Sequence, residues 1–111
     1  MIPVRLPSKQ RKYRNVPSVI DGIRFASKRE AHRYCELKML EKAGEISALR
    51  LQPRYPLTVN GLHVCTYVGD FQYTTSEGRI VTEDSKGVRT RDFVNKAKLF
   101  HALFGREIVL V

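Results

Sequence analysis

Two segments of the chain repeat apolar residues with the period of an α-helix, about 3.6 residues. The first segment, residues 28–43, consists of good helix formers. Ser27 can cap its first turn, and Gly44 can take the left-handed conformation that commonly ends a helix. One stripe of this predicted helix carries Glu30, Tyr34, Leu37 and Glu41. An acid therefore shares a helix face with an aromatic and an aliphatic side chain.

The second helical segment lies near the end of the sequence. Thr90 can cap its first turn, and Gly105 follows its last apolar residue. A single stripe between these two positions carries Phe93, Ala97, Phe100 and Phe104. The pattern predicts a helix that buries an aromatic face.

Extended runs separate and flank the two helices. Residues 51–87 hold three such runs, joined by an Asn-Gly pair at 60–61 and a Ser-Glu-Gly loop at 76–78. Both connections suit tight antiparallel turns, so we expect a three-stranded meander. An Asp-Gly pair at 21–22 predicts a short hairpin before the first helix, and the largely apolar segment 106–111 predicts a last strand beside the meander.

The order of elements predicts an α/β fold. Helix, three-strand meander, helix and strand (αβββαβ) form a mixed sheet flanked by helices. Residues 1–17 contain five basic residues, three prolines and no acid, which is typical of a basic N-terminal arm. Residues 18–111 are then expected to form a single domain, since a chain of 111 residues has enough surface for one small core.

The charge balance points to a polyanionic partner. The chain carries 20 Lys and Arg residues against 11 Asp and Glu, a formal net charge of +9. Such a field attracts nucleic acid, which is the leading candidate. Composition alone leaves open a small basic protein without a nucleic-acid role, or an assembly protein that docks on an acidic protein surface.

Cysteine usage and hydropathy favour the cytoplasm. Cys35 and Cys65 have no CxxC partner, so we expect reduced thiols in the core and no disulfide. The N-terminal residues lack the apolar stretch of a secretory signal, and no apolar run approaches the roughly 20 residues that span a bilayer. No membrane association is expected.

The candidate chemistry lies at the ends of two predicted strands. If the second run is one continuous strand, Asp70 shares a face with Val64 and Val68. In the third run Asp84 shares a face with Lys86, and Glu83 points to the opposite face in a solvated or structural role.

A meander in register would bring Asp70 and Asp84 together. Two carboxylates ~4 Å apart repel by about 1 kcal/mol in water and about 4 kcal/mol in a partly buried site. A positive group should therefore lie between them, and Lys86 and a divalent cation are the two candidates.

These residues resemble the motif of the PD-(D/E)xK nuclease superfamily, in which a helical glutamate precedes a strand-end aspartate and a (D/E)-x-K strand. The matching residues are Glu30, Asp70 in YVGDF, and Asp84 and Lys86 in EDSKG. The similarity covers residues 19–111 and is greatest to small phage-type endonucleases related to endonuclease-I-like Holliday-junction resolvases and transposase endonuclease subunits. Gly69 departs from the motif, because it stands where the superfamily often has proline.

The resemblance implies a restriction-endonuclease-like core and a Mg²⁺-dependent endodeoxyribonuclease, with Mn²⁺ as a substitute metal. The implied metal ligands are Asp70, Asp84 and the backbone carbonyl of Ser85, with Glu30 binding directly, through water or at a second ion. Lys86 would orient or deprotonate the attacking water and offset charge at the phosphorus. The implied protein is a homodimer that acts on branched or junction DNA in a bacterial host cell and is encoded by a phage or prophage.

Each of these residues also has a purely structural interpretation. Ser27 and Glu30 form the S-x-x-E pattern of a capping box. Asp70 can be an ordinary turn residue, and Asp84 with Lys86 can be an exposed ion pair worth under ~1 kcal/mol. The three histidines lack ligand spacing, which disfavours a histidine-metal nuclease.

Basic residues supply the expected DNA contacts, mostly to phosphates. They are Arg11, Lys12, Arg14, Arg89, Arg91, Lys96 and Lys98. Two other hypotheses remain at this point: a non-catalytic basic nucleic-acid-binding module and a phage assembly protein. A complete set of acids and lysine favours the nuclease, since a pure binder has no use for carboxylates facing phosphates.

Overall fold

The computed structural model describes residues 18–85 and 89–111. The helices are α1 (Lys28–Lys42) and α2 (Arg91–Phe104). The strands are β1 (Ser18–Ile20), β2 (Ile23–Phe25), β3 (Ile46–Leu51), β4 (Arg54–Val59), β5 (Leu62–Val68), β6 (Phe71–Thr75), β7 (Ile80–Asp84) and β8 (Val109–Leu110). The chain divides into two compact units, Met1–Lys38 and Met39–Val111, and α1 crosses the boundary.

The N-terminal unit contains the predicted hairpin. Asp21 and Gly22 have φ angles of 54° and 76°, the left-handed conformations that a type I′ turn requires. β1 and β2 pair antiparallel around this turn. The Tyr34 hydroxyl donates a hydrogen bond to Asp21 Oδ2 at 3.0 Å, and the Tyr34 ring lies 5.0 Å from the Phe25 ring. These two contacts fasten the hairpin to α1.

Helix α1 has the ends that the sequence predicts, to within one residue. Ser27 Oγ accepts a hydrogen bond from the Glu30 N–H at 3.2 Å. Gly44 has φ of 80° and follows the last turn. The expected stripe is partly confirmed, because Glu30, Tyr34 and Leu37 are buried whereas Glu41 is half-buried.

The C-terminal unit contains a mixed four-stranded sheet in the order β3-β6-β7-β8. β6 is antiparallel to both β3 and β7, and β8 is parallel to β7. Helix α2 connects β7 to β8, as a parallel pair requires. The expected α/β fold with a mixed sheet is confirmed, and so is the position of the last strand beside β7, although only Val109–Leu110 are strand residues.

The predicted three-stranded meander is wrong in its details. The second extended run is not one strand, because it breaks at Gly69 and Asp70 into β5 and β6. β5 pairs with β4 in a separate two-stranded sheet, while β6 joins the four-stranded one. β3 was not predicted as a strand of its own, and it carries an irregularity between Ser47 and Arg50 that interrupts a simple alternation.

The aromatic face of α2 packs against β4 and β5. Phe100 is fully buried, and its ring lies 5.0 Å from the Tyr55 ring and 5.7 Å from the Tyr67 ring. The predicted core position of Phe104 is only partly correct, because this side chain is 44% exposed while its ring still contacts Phe100 at 4.8 Å. Neither helix within the described ranges has the length and apolar character that a bilayer crossing requires.

The ends of α2 follow the sequence signals. Thr90 Oγ1 accepts a hydrogen bond from the Phe93 N–H at 3.1 Å, and Gly105 adopts the left-handed conformation with φ of 72°. The prediction for the cysteines is correct in part, since both are free thiols. Cys65 packs against the core, whereas Cys35 is exposed and is not a core residue.

Phe100 and Phe104 provide a matched test of this core. Phe100→Ala should lower the free energy of unfolding by about 3–5 kcal/mol, because it leaves a cavity among aromatic rings. Phe104→Ala should cost clearly less, since 44% of its side chain is already in contact with solvent. Urea denaturation followed by circular dichroism measures both values, and equal losses would contradict the packing described.

Candidate functional site

The pairing of β6 with β7 sets the geometry of the acidic site. Phe71 lies opposite Glu83, so the next residues outward, Asp70 and Asp84, are neighbours at the end of the ladder. The Asp70 N–H donates to the Glu83 carbonyl at 3.0 Å. Asp70 Oδ2 accepts a hydrogen bond from the Ser85 N–H at 2.6 Å. The Asp70 carboxylate therefore lies against the peptide that joins Asp84 to Ser85.

Two further backbone hydrogen bonds hold Asp70 in place. Its carbonyl accepts from the Gln52 N–H at 2.9 Å, and the preceding Gly69 N–H donates to the Pro53 carbonyl at 3.0 Å. Gln52 adopts a left-handed conformation with φ of 48°, which turns the chain between β3 and β4. These two hydrogen bonds thus hold the β3–β4 connection against the residues at which the chain passes from β5 to β6.

Close packing explains why glycine precedes Asp70. A Cβ at Gly69 would lie 3.1 Å from the Thr82 methyl carbon and 3.4 Å from the Tyr67 ring. A proline there would also lack the N–H that bonds to Pro53. The departure from the nuclease motif at this position therefore matches a local constraint of this chain.

The valine-lined face predicted around Asp70 is wrong. Val64 and Val68 are 57% and 40% exposed, so they do not enclose an acid. The alternation fails because the chain leaves β5 at Val68 and enters another sheet at Phe71. Asp70 itself is half-buried.

Asp84 is 1% exposed and is bound by a tyrosine. The Tyr67 hydroxyl donates to Asp84 Oδ2 at 2.5 Å. Burial raises the pKa of Tyr67 far above its ordinary value, and the hydrogen bond to Asp84 and the charges of Asp84 and Asp70 raise it further. The Tyr67 hydroxyl thus connects Asp84 to the aromatic core.

Glu83 lies on the opposite face of β7, as strand alternation predicts. The expectation that it is solvated is wrong, because its side chain is 1% exposed. The Tyr73 hydroxyl donates a hydrogen bond to its carboxylate. The structural role that the sequence also allowed agrees with this contact.

A series of side-chain hydrogen bonds on the Asp84 side of the sheet is not predicted from the sequence. Arg106 donates to Thr82 Oγ1 at 2.7 Å, and Thr82 Oγ1 lies 2.8 Å from the Tyr55 hydroxyl. Tyr55 donates to Gln72 Oε1 at 2.5 Å, so the Thr82 hydroxyl must donate to Tyr55. Strand alternation places Thr82 on the same face as Asp84, and this is the one part of the arrangement that the sequence indicates. The contact with Arg106 is not predictable from a local pattern, because Arg106 lies far along the sequence.

The other predicted site residues are less well placed. Glu30 is 7% exposed and lies in the N-terminal unit, where its N–H receives the Ser27 cap. Lys86 lies outside the described residues, as do Arg11, Lys12 and Arg14. The structure brings together Asp70, Asp84 and Ser85.

The predicted DNA-binding residues of the C-terminal unit occupy α2 and the segment before it. Arg89, Arg91 and Lys98 are exposed. Lys96 is half-buried, and its Nζ lies 3.4 Å from Asp92 Oδ2 one helical turn away. Lys96 is thus the least accessible cation of this group.

The acid pair has donors that suit a magnesium ion. Mg²⁺ is held by one or two carboxylates and keeps several waters, so Asp70, Asp84 and the Ser85 carbonyl are a sufficient set. Ser85 Oγ is buried and has no hydrogen-bond partner within residues 18–85 and 89–111. A buried hydroxyl without a partner costs about 1–3 kcal/mol, and a hydrated ion beside it would supply one. Across the same residues no three His, Cys, Asp or Glu side chains form a complete metal cluster.

The Tyr67–Asp84 contact predicts an alkaline pH dependence. The pKa of Tyr67 is raised in the folded state above the value of 10.0 that applies when the chain is unfolded. Its contribution to stability is therefore complete below pH 10.0 and decreases as the pH rises above it. Tyr67→Phe should reduce this decrease, measured as the free energy of unfolding in urea between pH 8 and 11.

An identical alkaline decrease in wild type and Tyr67→Phe would contradict the assignment.

Comparison with known proteins gives a family but no function. The family model described as "Protein of unknown function (DUF1064)" matches residues 10–110. The comparisons found no match among curated proteins or among solved structures. Because the match covers nearly the whole sequence, the chain belongs to the DUF1064 family.

Proposed function

We propose that this protein is a divalent-metal-dependent DNA endonuclease of the PD-(D/E)xK type. The observation that carries the proposal is the convergence of Asp70 and Asp84, held by the 2.6 Å bond from the Ser85 N–H to Asp70. The pair lies at the end of the sheet in a chain of net charge +9. Acids grouped in this way on a basic protein are expected where a cation and a phosphate meet.

Electrostatics supports a metal-binding role for the pair. Two neighbouring carboxylates repel each other, and Asp84 is also almost completely shielded from water. Hydrogen bonds from Tyr67 and the Ser85 N–H offset part of that cost. A divalent ion would offset more of it, because it places positive charge between the two acids.

The residues would divide the chemistry as follows. Asp70, Asp84 and the Ser85 carbonyl would hold Mg²⁺ or Mn²⁺. The ion, when bound, would polarise the phosphoryl oxygen and acidify a bound water. Lys86 would orient or deprotonate the attacking water and stabilise charge that develops at the phosphorus. No covalent nucleophile is needed.

Tyr67 would act as a positioning residue. Its hydroxyl fixes one oxygen of Asp84, and its ring is held in the aromatic core by Phe93 and Phe100. The carboxylate is thereby prevented from rotating, which is what preorganisation of a metal site requires.

We further propose that selectivity comes from DNA structure. The exposed cations Arg89, Arg91 and Lys98 suit phosphates, and phosphate contacts carry no direct sequence information. A branched or junction DNA in a bacterial host, cut by a homodimer encoded by a phage or prophage, fits this mode of recognition.

A non-catalytic nucleic-acid-binding module is the second candidate. It is favoured by the hydrogen bonds of the acids themselves, since Ser85 and Tyr67 give Asp70 and Asp84 structural partners. In that case the acids stabilise the end of the sheet, and only the basic residues bind the nucleic acid.

Cleavage by single-residue variants separates these candidates. Wild type should cut at least one of a panel of labelled linear, flap, nicked and four-way DNAs with Mg²⁺ or Mn²⁺, and not with EDTA. Asp84→Asn should lose about 100-fold or more in single-turnover rate, a loss of about 2.7 kcal/mol of transition-state stabilisation. DNA binding should persist or tighten, because a negative charge near the phosphates is removed.

Glu83→Gln is the matched control and should keep most of the activity, since the amide oxygen can still accept from Tyr73 on the opposite face. Lys86→Ala should lose cleavage while metal binding persists. Circular dichroism confirms folding of each variant. Failure of wild type to cut any DNA of the panel with metal would refute the nuclease and favour the binding module.

Metal binding provides an independent prediction. Mn²⁺ titrated into the wild-type protein should give a calorimetric binding signal that weakens at least about tenfold in Asp70→Asn, because a charged ligand becomes neutral. The asparagine oxygen can still accept from the Ser85 N–H, so the fold should be preserved. Asp92→Asn, a change at an acid that is 78% exposed, is the control and should leave the affinity unchanged. Equal affinities in Asp70→Asn and wild type would remove Asp70 from the site.

A further inference from the structure

A groove separates α2 from the C-terminal segment that contains β8. Its volume is about 500 Å³. One wall is formed by residues of α2, and the other by Glu107, Ile108 and Leu110. β8 is the edge strand of the four-stranded sheet, so the groove lies at the margin of the sheet.

The lining of the groove combines an apolar floor with cations. Val94 and Ala97 of α2 face Ile108 and Leu110 across it. Arg89, Lys98 and His101 also line the groove, and all three are exposed. Glu107 is the single acid among the lining residues that the structure describes. The groove therefore offers apolar surface, one flat imidazole ring and an excess of positive charge.

We propose that this groove binds one unpaired nucleotide of a DNA strand. The base would lie on the apolar floor against the His101 ring, and its phosphate would face Arg89 and Lys98. Bases that are not paired can stack on aromatic side chains, histidine included, whereas a duplex keeps its bases inside the stack. A volume of about 500 Å³ is in the range of small-ligand pockets. The choice of DNA as the ligand rests on the proposed function.

The pairing of β8 with β7 connects the groove to the acid pair. Leu110, which lines the groove, is paired with Asp84 in the β7–β8 ladder. The Val111 N–H also donates to the Asp84 carbonyl at 3.1 Å. Neighbouring strands are about 4.8 Å apart, so a nucleotide in the groove belongs to the stretch of DNA next to the acids. Unpaired DNA beside the cleavage point is what flaps, gaps and junctions provide, and the groove would recognise it.

Binding measured in EDTA tests the groove without cleavage. Fluorescence anisotropy compares a labelled duplex that contains a short single-stranded gap with the intact duplex of the same length. Wild type should bind the gapped DNA about fivefold more tightly or better, because an accommodated base contributes stacking. His101→Ala should remove most of this preference. His32→Ala changes another exposed histidine, on α1, and should keep it.

A charge reversal tests the phosphate side of the groove. Lys98→Glu should weaken binding of gapped DNA and flatten the dependence of log affinity on log salt by about one unit for each phosphate that the protein no longer neutralises. Lys28→Glu introduces the same charge change at an exposed residue of α1 and should leave the preference for gapped DNA unchanged. A preference for gapped DNA that survives His101→Ala, or an unchanged salt dependence in Lys98→Glu, would overturn the groove as the binding site.

A competition experiment distinguishes a strand from a free nucleotide. Deoxynucleoside monophosphates at millimolar concentration should not displace gapped DNA, because a single unit lacks the flanking phosphates that the rest of the surface would bind. Displacement at or below millimolar concentration would overturn the assignment to a DNA strand. Wild type that prefers gapped DNA but never cleaves with metal would refute the nuclease and retain the groove. Cleavage without any preference for gapped DNA would refute the groove and retain the nuclease.

Discussion

The hydrogen bond from the Ser85 N–H to Asp70 is the constraint on which the candidate site depends. It joins the end of β7 to the start of β6 where the regular ladder has already ended at Phe71 and Glu83. Without it, the repulsion between Asp70 and Asp84 would favour separation of the two strand ends. The bond is charge-assisted, and bonds of that kind are about twice as strong as neutral ones. The chain therefore holds the two acids together by a main-chain donor.

Hydrogen bonds from tyrosine hydroxyls stabilise the two acids that are buried in this sheet. Asp84 and Glu83 are each 1% exposed, and each accepts a hydrogen bond from a tyrosine, Tyr67 and Tyr73 respectively. A tyrosine supplies a strong donor without adding a second charge, and its ring fills the core around the acid. A salt bridge in the same position would remove two charges from water instead of one. Glu83 and Asp84 can thus both be buried, one on each face of β7.

The sequence predicts the local geometry well where a strand is continuous and fails where the chain changes sheet. Both helices, their caps and the opposite faces of Glu83 and Asp84 follow from local periodicity. The break at Gly69 depends on Thr82 and Pro53, which come from other parts of the fold, and no local pattern reveals it. The burial of Glu83 depends on Tyr73 in the same way. The spacing of the motif alone predicts Lys86, which lies outside the described residues.

The contact between β7 and β8 couples the two parts of the proposed DNA-binding surface. β7 ends at Asp84, one member of the acid pair, and β8, which pairs with β7, contributes Leu110 to one wall of the groove. Backbone hydrogen bonds between strands fix their separation far more tightly than loops would, so the distance from groove to acids is set by the sheet. Arg106 strengthens this arrangement, because its bond to Thr82 ties the approach to β8 onto β7. A DNA strand that crosses both features would therefore meet a fixed spacing, and selectivity for DNA structure would follow from that spacing without any contact to a base edge.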